Sequence, residues 1–133
     1  MQNTISSTQK GFLKGRFIGE NTRLVFDMID YLKRENKTGI LLLIDFEKAF
    51  DTLEWSYIEN VLNTYKFGEN FRKYINLLYK DAESCVINNG NFSEFFKLGR
   101  GCRQGDSISP YIFILGVEPL AAEVKNNAKV KGI

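Results

Sequence analysis

Gly39-Ile-Leu-Leu-Leu-Ile-Asp-Phe-Glu-Lys-Ala-Phe-Asp51 is the stretch of sequence that decides the fold. Its five consecutive apolar residues, Ile40 to Ile44, are typical of a β-strand buried on both faces. Asp45 follows at the carboxyl end of this strand, where ligands bind because the backbone is rigid and the next turn is exposed. The pattern predicts a metal-binding edge at Asp45. The alternative is that Asp45 only begins a turn and helps to cap the following helix.

The composition is that of a globular protein with one domain. The chain has 133 residues, of which 44% are hydrophobic and 26% are charged. No segment approaches the roughly 18 apolar residues that span a bilayer, and the first residues lack the features of a signal peptide. Cys85 and Cys102 are too few for a disulfide framework or a zinc site. We therefore expect an intracellular protein with two reduced thiols.

The absence of histidine narrows the possible chemistry. It excludes Ser-His and Cys-His nucleophilic catalysis and most transition-metal sites. A metal would have to be held by oxygen atoms, which favours magnesium or manganese. The net charge of +2 neither requires nor excludes a nucleic-acid partner.

Hydrophobic periodicity predicts three amphipathic helices, over residues 20–35, 53–66 and 69–80. Asp51 and Glu54 lie three positions apart and predict a capping box that opens the second of these helices. The first helix requires no function beyond packing.

A hairpin and a core helix are predicted in the second half of the chain. Strands over residues 84–88 and 92–98 flank Asn89-Gly90, a pair that favours a tight turn. Ser109 as N-cap and Pro110 at the first helical position predict a helix that begins there. Because this helix is apolar on nearly all sides through Val117, we expect it to lie deep in the core.

Two glycine-rich basic loops are candidates for contacts with phosphates. Residues 9–19 contain three glycines, two lysines and an arginine, which allow close approach to a phosphate. A flexible surface loop is the alternative there. Residues 100–106 contain two glycines and two arginines around Gln104, whose amide can both donate and accept hydrogen bonds. A solvated loop is again the alternative, and Asp106 is either a ligand or a turn residue.

Three segments, in this order, resemble the reverse transcriptase of non-LTR (LINE-type) retrotransposons. They are Gln9-Lys-Gly-Phe-Leu-Lys-Gly-Arg16, Ile44-Asp-Phe-Glu-Lys-Ala-Phe-Asp51 and Gly101-Cys-Arg-Gln-Gly-Asp-Ser-Ile-Ser-Pro110. The first resembles the end of the fingers, the second polymerase motif A and the third motif B. The resemblance covers nearly the whole chain.

The resemblance implies a role for individual residues. Asp45 matches the motif A aspartate that binds both catalytic magnesium ions, and the backbone carbonyl of Phe46 is expected to add a ligand. Ala49 and Phe50 match nucleotide-binding positions, with Phe50 as an aromatic gate beneath the nucleotide sugar. The other matched positions are Gln104 and Gly105 near the nucleotide and, for contacts with nucleic acid, Lys14, Arg16, Arg100 and Arg103.

The implied fold is α+β. It is a partial polymerase palm, an antiparallel sheet packed on helices, with a remnant of the fingers. Residues 1–38 would belong to the fingers and residues 39–133 to the palm. The family's Tyr/Phe-Ala-Asp-Asp hairpin, which carries the remaining metal-binding aspartate, and the thumb are not among the 133 residues. We therefore expect a fragment that is inactive alone.

In a complete protein the implied activity is RNA-directed DNA polymerisation by two-metal phosphoryl transfer. Its partners would be an RNA template, a DNA primer and deoxynucleoside triphosphates, with Mg²⁺ or Mn²⁺ as cofactor and no membrane. Asp45 and Gln104 would then line one cleft. The alternative is a non-catalytic α+β remnant that at most binds nucleic acid through basic residues of the two loops, namely Lys10, Lys14, Arg16, Arg100 and Arg103.

Overall fold

The structure, a computed structural model, describes residues 4–130. In this part of the chain it contains four helices and four two-residue strands, so the predicted α+β class is confirmed. The chain divides into two units, one formed by Met1–Glu47 with Glu118–Ile133 and the other by Lys48–Val117. This division does not test the predicted boundary between fingers and palm. None of the helices in the described residues is long and apolar enough to cross a membrane.

The first unit contains α1 (Gly19–Arg34), which confirms the first predicted helix with its start one residue earlier. Val25, Met28 and Leu32 are half-buried, as is Asn21, at the spacing of one helix face. An ion pair between Arg23 and Asp27, 2.8 Å long and one turn apart, lies on the exposed side. The helix therefore has one half-buried stripe at helical spacing, while its apolar residues Leu24 and Ile29 are exposed.

The N-terminal turn of the first unit is held by buried polar contacts. The Arg16 guanidinium donates to the backbone carbonyls of Gln9 at 2.7 Å and Ile5 at 3.2 Å. Glu118, which is buried, accepts the backbone N–H of Ser6 at 2.8 Å. Because each contact satisfies a backbone group, Arg16 and Glu118 stabilise this turn directly.

The predicted strand over residues 40–44 is absent, and this prediction is wrong. The segment has no regular secondary structure, and its side chains are exposed, with Ile40 at 98% and Leu42 at 75%. A strand is stabilised by the backbone hydrogen bonds of a neighbour, and no described segment pairs with these residues. An apolar sequence alone is therefore not sufficient to form a strand here, and Asp45 does not lie at the end of a strand.

The second unit contains α2 (Trp55–Thr64) and α3 (Glu69–Tyr79), which pack against each other. Leu62 on α2 and Ile75 on α3 are each only 1% exposed. The third predicted helix is confirmed within one residue. Leu78, also on α3, is 46% exposed.

The start of α2 differs from the prediction. Glu54, not Asp51, is the N-cap residue, and it makes no side-chain capping hydrogen bond, so the predicted capping box is wrong. The helix begins two residues later than expected. The physical reason is that the backbone carbonyl of Leu53 accepts the N–H of Gly101 at 2.8 Å, which holds this residue outside the helix.

The predicted hairpin is confirmed as two short ladders. Strand β1 (Glu83–Ser84) pairs with β4 (Phe96–Lys97), and β2 (Ile87–Asn88) pairs with β3 (Asn91–Phe92), both antiparallel. Asn89 and Gly90 have φ values of 50° and 79°. Two consecutive positive values are those of a type I′ turn.

The two ladders are separated at Ser93. Its Oγ accepts the Val86 N–H at 2.9 Å, in place of a backbone carbonyl. The strands are therefore shorter than predicted.

The last helix, α4 (Ser109–Asn126), begins in the second unit and confirms the predicted core helix. Ile112, Ile114 and Leu115 are at most 2% exposed. Ser109 is the first helical residue and not the N-cap, and its hydroxyl donates to the carbonyl of Arg103 at 2.7 Å. The helix start is thus tied to the 100–106 loop.

Candidate nucleotide site

The 100–106 loop is paired with residues 50–54, which begin at the end of the segment that resembles motif A. The N–H of Cys102 donates to the Phe50 carbonyl at 2.6 Å, in addition to the bond between Gly101 and Leu53. Glu54 and Arg100 form an antiparallel β-bridge at one end of this pairing. Two segments that the sequence analysis selected separately are therefore in direct contact within the second unit.

Gly101 is required at the closest point of this contact. Its φ is +97°, a conformation that side chains disfavour. A Cβ atom at this position would lie 3.1 Å from the Asp51 carbonyl oxygen and 3.3 Å from the Asp51 Cα. Glycine therefore serves here both for its conformation and for the space it leaves.

Trp55 and Tyr79 support the loop from the helices. The Trp55 indole N–H donates to the Gly101 carbonyl at 2.8 Å. The Trp55 and Tyr79 rings stack with centroids 5.3 Å apart and planes inclined by 20°. In the sequence both residues occur only at the helical spacing of ordinary core residues. The one available signal was that Trp55 carries the only indole, whose N–H needs an acceptor when it is buried.

The Tyr79 hydroxyl and the Cys102 thiol form a neutral pair. Burial raises the pKa of Tyr79 well above its usual range, and hydrogen bonding to Cys102 raises it further. Burial also raises the pKa of the Cys102 thiol, and the hydrogen bond with Tyr79 lowers it in part. Both shifts favour the protonated form near neutral pH, and the buried Cys102 side chain contributes packing.

Gln104 and Gly105 lie on the exposed part of the loop. The Gln104 Nε2 donates to Asp51 Oδ1 at 3.4 Å, a long and solvent-exposed hydrogen bond. Gly105 has a φ of +93° and open space around it. Asp51, predicted to cap a helix, instead points its carboxylate toward the Gln104 amide.

A cleft of about 540 Å³ lies beside this loop within the second unit. Arg100, Arg103 and Gln104 are among the predicted binding residues that line it. Phe96 and Trp55 contribute aromatic surface. The cleft therefore combines cationic, amide and aromatic groups, which are the groups that contact nucleotides in proteins.

Phe50 and Ala49 are half-buried. The Phe50 ring lies against Phe113 of α4, with centroids 5.2 Å apart and planes inclined by 35°. Its backbone is fixed by the bond to Cys102. Phe50 thus has a packing partner in the second unit, and its predicted role beneath a nucleotide sugar stays a prediction.

Asp45, Phe46, Lys14 and Arg16 belong to the first unit. Asp45 and Phe46 are exposed, as is Lys14, whereas the Arg16 guanidinium is engaged with backbone carbonyls. The Asp45 carboxylate is a hard oxygen donor and fits Mg²⁺ in chemistry. Across residues 4–130, no three histidine, cysteine, aspartate or glutamate side chains are grouped so that they could hold a metal ion. The expected shared cleft with Gln104 stays a prediction.

Comparisons with known proteins identify the family. Residues 1–132 match the family model described as reverse transcriptase (RNA-dependent DNA polymerase). The chain is 33% identical over 115 residues to the transposon TX1 uncharacterized 149 kDa protein of Xenopus laevis, covering 86% of this chain and 9% of that protein.

Further relatives are retrovirus-related Pol polyproteins. The polyprotein of the type-1 retrotransposable element R2 of Nasonia vitripennis is 28% identical over 82% of this chain and 11% of its own length. The polyprotein of the type-2 element R2DM of Drosophila melanogaster is 29% identical over 84% of this chain and 11% of its own length. The chain therefore spans about a tenth of the length of these relatives.

The chain belongs to the reverse transcriptase family. The predicted kinship with the reverse transcriptases of non-LTR (LINE-type) retrotransposons is confirmed.

Replacing Gly101 by alanine should destabilise the chain more than replacing Gly105. Gly105→Ala should cost about 1–2 kcal/mol, because only the positive φ opposes the side chain. Gly101→Ala meets the Asp51 backbone as well and should cost at least about 1 kcal/mol more. Urea unfolding of the two variants measures the difference. Equal losses would show that the Gly101–Asp51 contact relaxes without cost.

Proposed function

We propose that this chain is the motif A and motif B part of an RNA-directed DNA polymerase of a LINE-type retroelement. The complete protein adds deoxynucleotides to a DNA primer on an RNA template by two-metal phosphoryl transfer. The supporting observation is the pairing of residues 50–54 with residues 100–102, which leaves Gln104 and Gly105 exposed beside the cleft. Family membership supports the same reaction class.

The metal would be held by the Asp45 carboxylate and the backbone carbonyl of Phe46. Mg²⁺, or Mn²⁺ in its place, would stabilise the charge that develops during phosphoryl transfer. Asp45 is exposed and forms no ion pair with a described lysine or arginine, so its carboxylate is available to a cation. A single carboxylate does not offset two divalent ions, and further ligands would come from outside these 133 residues.

The nucleotide would be held by residues of the second unit. Phe50 would lie beneath the sugar with Ala49 beside it, and Gln104 and Gly105 would contact the nucleotide from the exposed part of the loop. Arg100 and Arg103 line the cleft and make no ion pair with a described carboxylate, so both are available to phosphates.

The nucleic acid would also be contacted from the first unit. Lys14 is exposed and suited to a backbone phosphate. Arg16 stabilises the N-terminal turn, so any contact of its guanidinium with nucleic acid would be additional to that role. The fingers would comprise residues 1–38 and the palm residues 39–133.

RNA-templated primer extension tests the proposal. A polymerase-competent protein that contains these 133 residues should extend a DNA primer with deoxynucleotides when Mg²⁺ is present. The 133-residue chain alone should not extend it, because charge stabilisation by the metal pair requires more carboxylates than Asp45. Nucleic-acid binding without extension by the longer protein would instead favour the non-catalytic remnant.

Phe50→Ala should weaken the discrimination of that longer protein against ribonucleotides. Removing the ring leaves room for a 2′-hydroxyl, so ribonucleotide incorporation relative to deoxyribonucleotide should rise on the order of tenfold. Single-nucleotide incorporation kinetics with each sugar measure the ratio.

Phe113→Ala is the matched control for this change. It removes the same ring contact from the α4 side and leaves the Phe50 ring in place. Its discrimination should be unchanged. If both variants shift the ratio equally, or neither does, Phe50 contributes only packing.

A further inference from the structure

We propose that Trp55 is a positioning residue for the 100–106 loop and that its indole N–H sets the orientation in which Gln104 meets the nucleotide. This inference rests on the proposed function for its kinetic consequence. Its structural part, the clamp on the loop, can be tested without any activity. Trp55 lies outside the three segments that carry the family resemblance.

The clamp acts on one peptide group. The Trp55 Nε1 lies 2.8 Å from the Gly101 carbonyl oxygen, across 46 positions of sequence. The peptide that carries this oxygen joins Gly101 to Cys102, and the N–H of Cys102 is bonded to the Phe50 carbonyl at 2.6 Å. Both polar ends of the peptide are therefore held. Rotation of the peptide would break both hydrogen bonds.

The indole is itself held in place. Its ring stacks on Tyr79, which is 9% exposed and packs from α3. Tyr79 and Cys102, the residue after the clamped glycine, both line the cleft beside the loop. Trp55 thus connects the start of α2 and the end of α3 to one point on the loop.

Gln104 directly follows the fixed part of the loop. Residues 101 and 102 are clamped, and the Arg103 carbonyl, in the peptide that joins Arg103 to Gln104, accepts the buried Ser109 hydroxyl at 2.7 Å. By contrast, within residues 4–130 the Gln104 side chain makes one hydrogen bond, the exposed one to Asp51 at 3.4 Å. The direction of the Gln104 amide is therefore set mainly by the conformation of the loop backbone at Gln104.

The test compares two substitutions that each remove one hydrogen bond. Trp55→Phe keeps an aromatic ring against Tyr79 and removes the indole N–H. Tyr57→Phe is the matched control, because the Tyr57 hydroxyl donates to the Gly116 carbonyl, also at 2.8 Å and part-buried. Both donors lie on α2, and both acceptors are glycine carbonyls. Only the Trp55 bond reaches the loop.

Amide hydrogen exchange of the 133-residue chain measures the clamp. Trp55→Phe should accelerate exchange at Gly101 and Cys102 by about three- to tenfold relative to the core amide of Leu62, as loss of one hydrogen bond predicts. Tyr57→Phe should leave the Gly101 and Cys102 rates unchanged on the same scale. Equal acceleration in both variants would overturn the proposal, as would no change in Trp55→Phe.

Nucleotide kinetics measure the consequence in a polymerase-competent protein that contains these residues. Trp55→Phe should raise the KM for the deoxynucleotide by about three- to tenfold, with kcat within about twofold, because the loop still forms but is oriented less of the time. Tyr57→Phe should leave both constants unchanged. An unchanged KM in Trp55→Phe, or a loss in kcat alone, would overturn the positioning role.

A second variant keeps the test decisive if Trp55→Phe does not fold. Tyr79→Leu keeps the indole N–H and removes the ring that stacks on it, so exchange at Gly101 and Cys102 should accelerate relative to Leu62. No acceleration there would overturn the clamp. If the unsubstituted longer protein extends no primer, the proposed function fails, and the exchange rates still decide whether Trp55 holds the loop.

Discussion

The antiparallel pairing of residues 50–54 with residues 100–102 is the interaction on which the second unit depends. Two backbone hydrogen bonds, of 2.8 Å and 2.6 Å, and one β-bridge join segments that are far apart in sequence. The pairing determines where α2 begins, because the Leu53 carbonyl is occupied. It also requires glycine at position 101, since a Cβ there would meet the Asp51 backbone. The exposed position of Gln104 follows from the same contact.

Elements with a local cause were predictable from the sequence. The stripe of α1, the type I′ turn at Asn89-Gly90 and the apolar helix α4 each result from residues within a few positions of one another. The start of α2 was not predictable, because Gly101 competes for the Leu53 carbonyl across the chain. The strand predicted over residues 40–44 does not form, for a related reason. An apolar run becomes a strand only when a partner supplies its hydrogen bonds, and none of the described residues does so.

The exposed part of the candidate site was predictable because glycine and polar residues are concentrated in its loop. Gln104 and Gly105 are exposed, and Arg100 and Arg103 line the cleft, as the loop composition indicates. The support for the loop was missed, because Trp55 and Tyr79 occur at helical spacing and resemble ordinary core residues. The contact of Asp51 with Gln104 was not predicted, for a different reason. Its spacing to Glu54 matches a capping box, but the tertiary pairing moves the helix start and leaves its carboxylate facing Gln104.

Under the proposed function, two aspartates of one segment have different tasks, with Asp45 as a metal ligand and Asp51 in contact with the loop through Gln104. The most direct measurement is the Mg²⁺-dependent rate of RNA-templated primer extension for Asp45→Asn and Asp51→Asn in a polymerase-competent protein that contains these residues. Asp45→Asn should lower the rate by orders of magnitude, because it removes a charge that offsets the metal ions. Asp51→Asn keeps an oxygen that can accept from Gln104, so its rate should fall by less than about tenfold. Near-normal extension by Asp45→Asn would contradict the account.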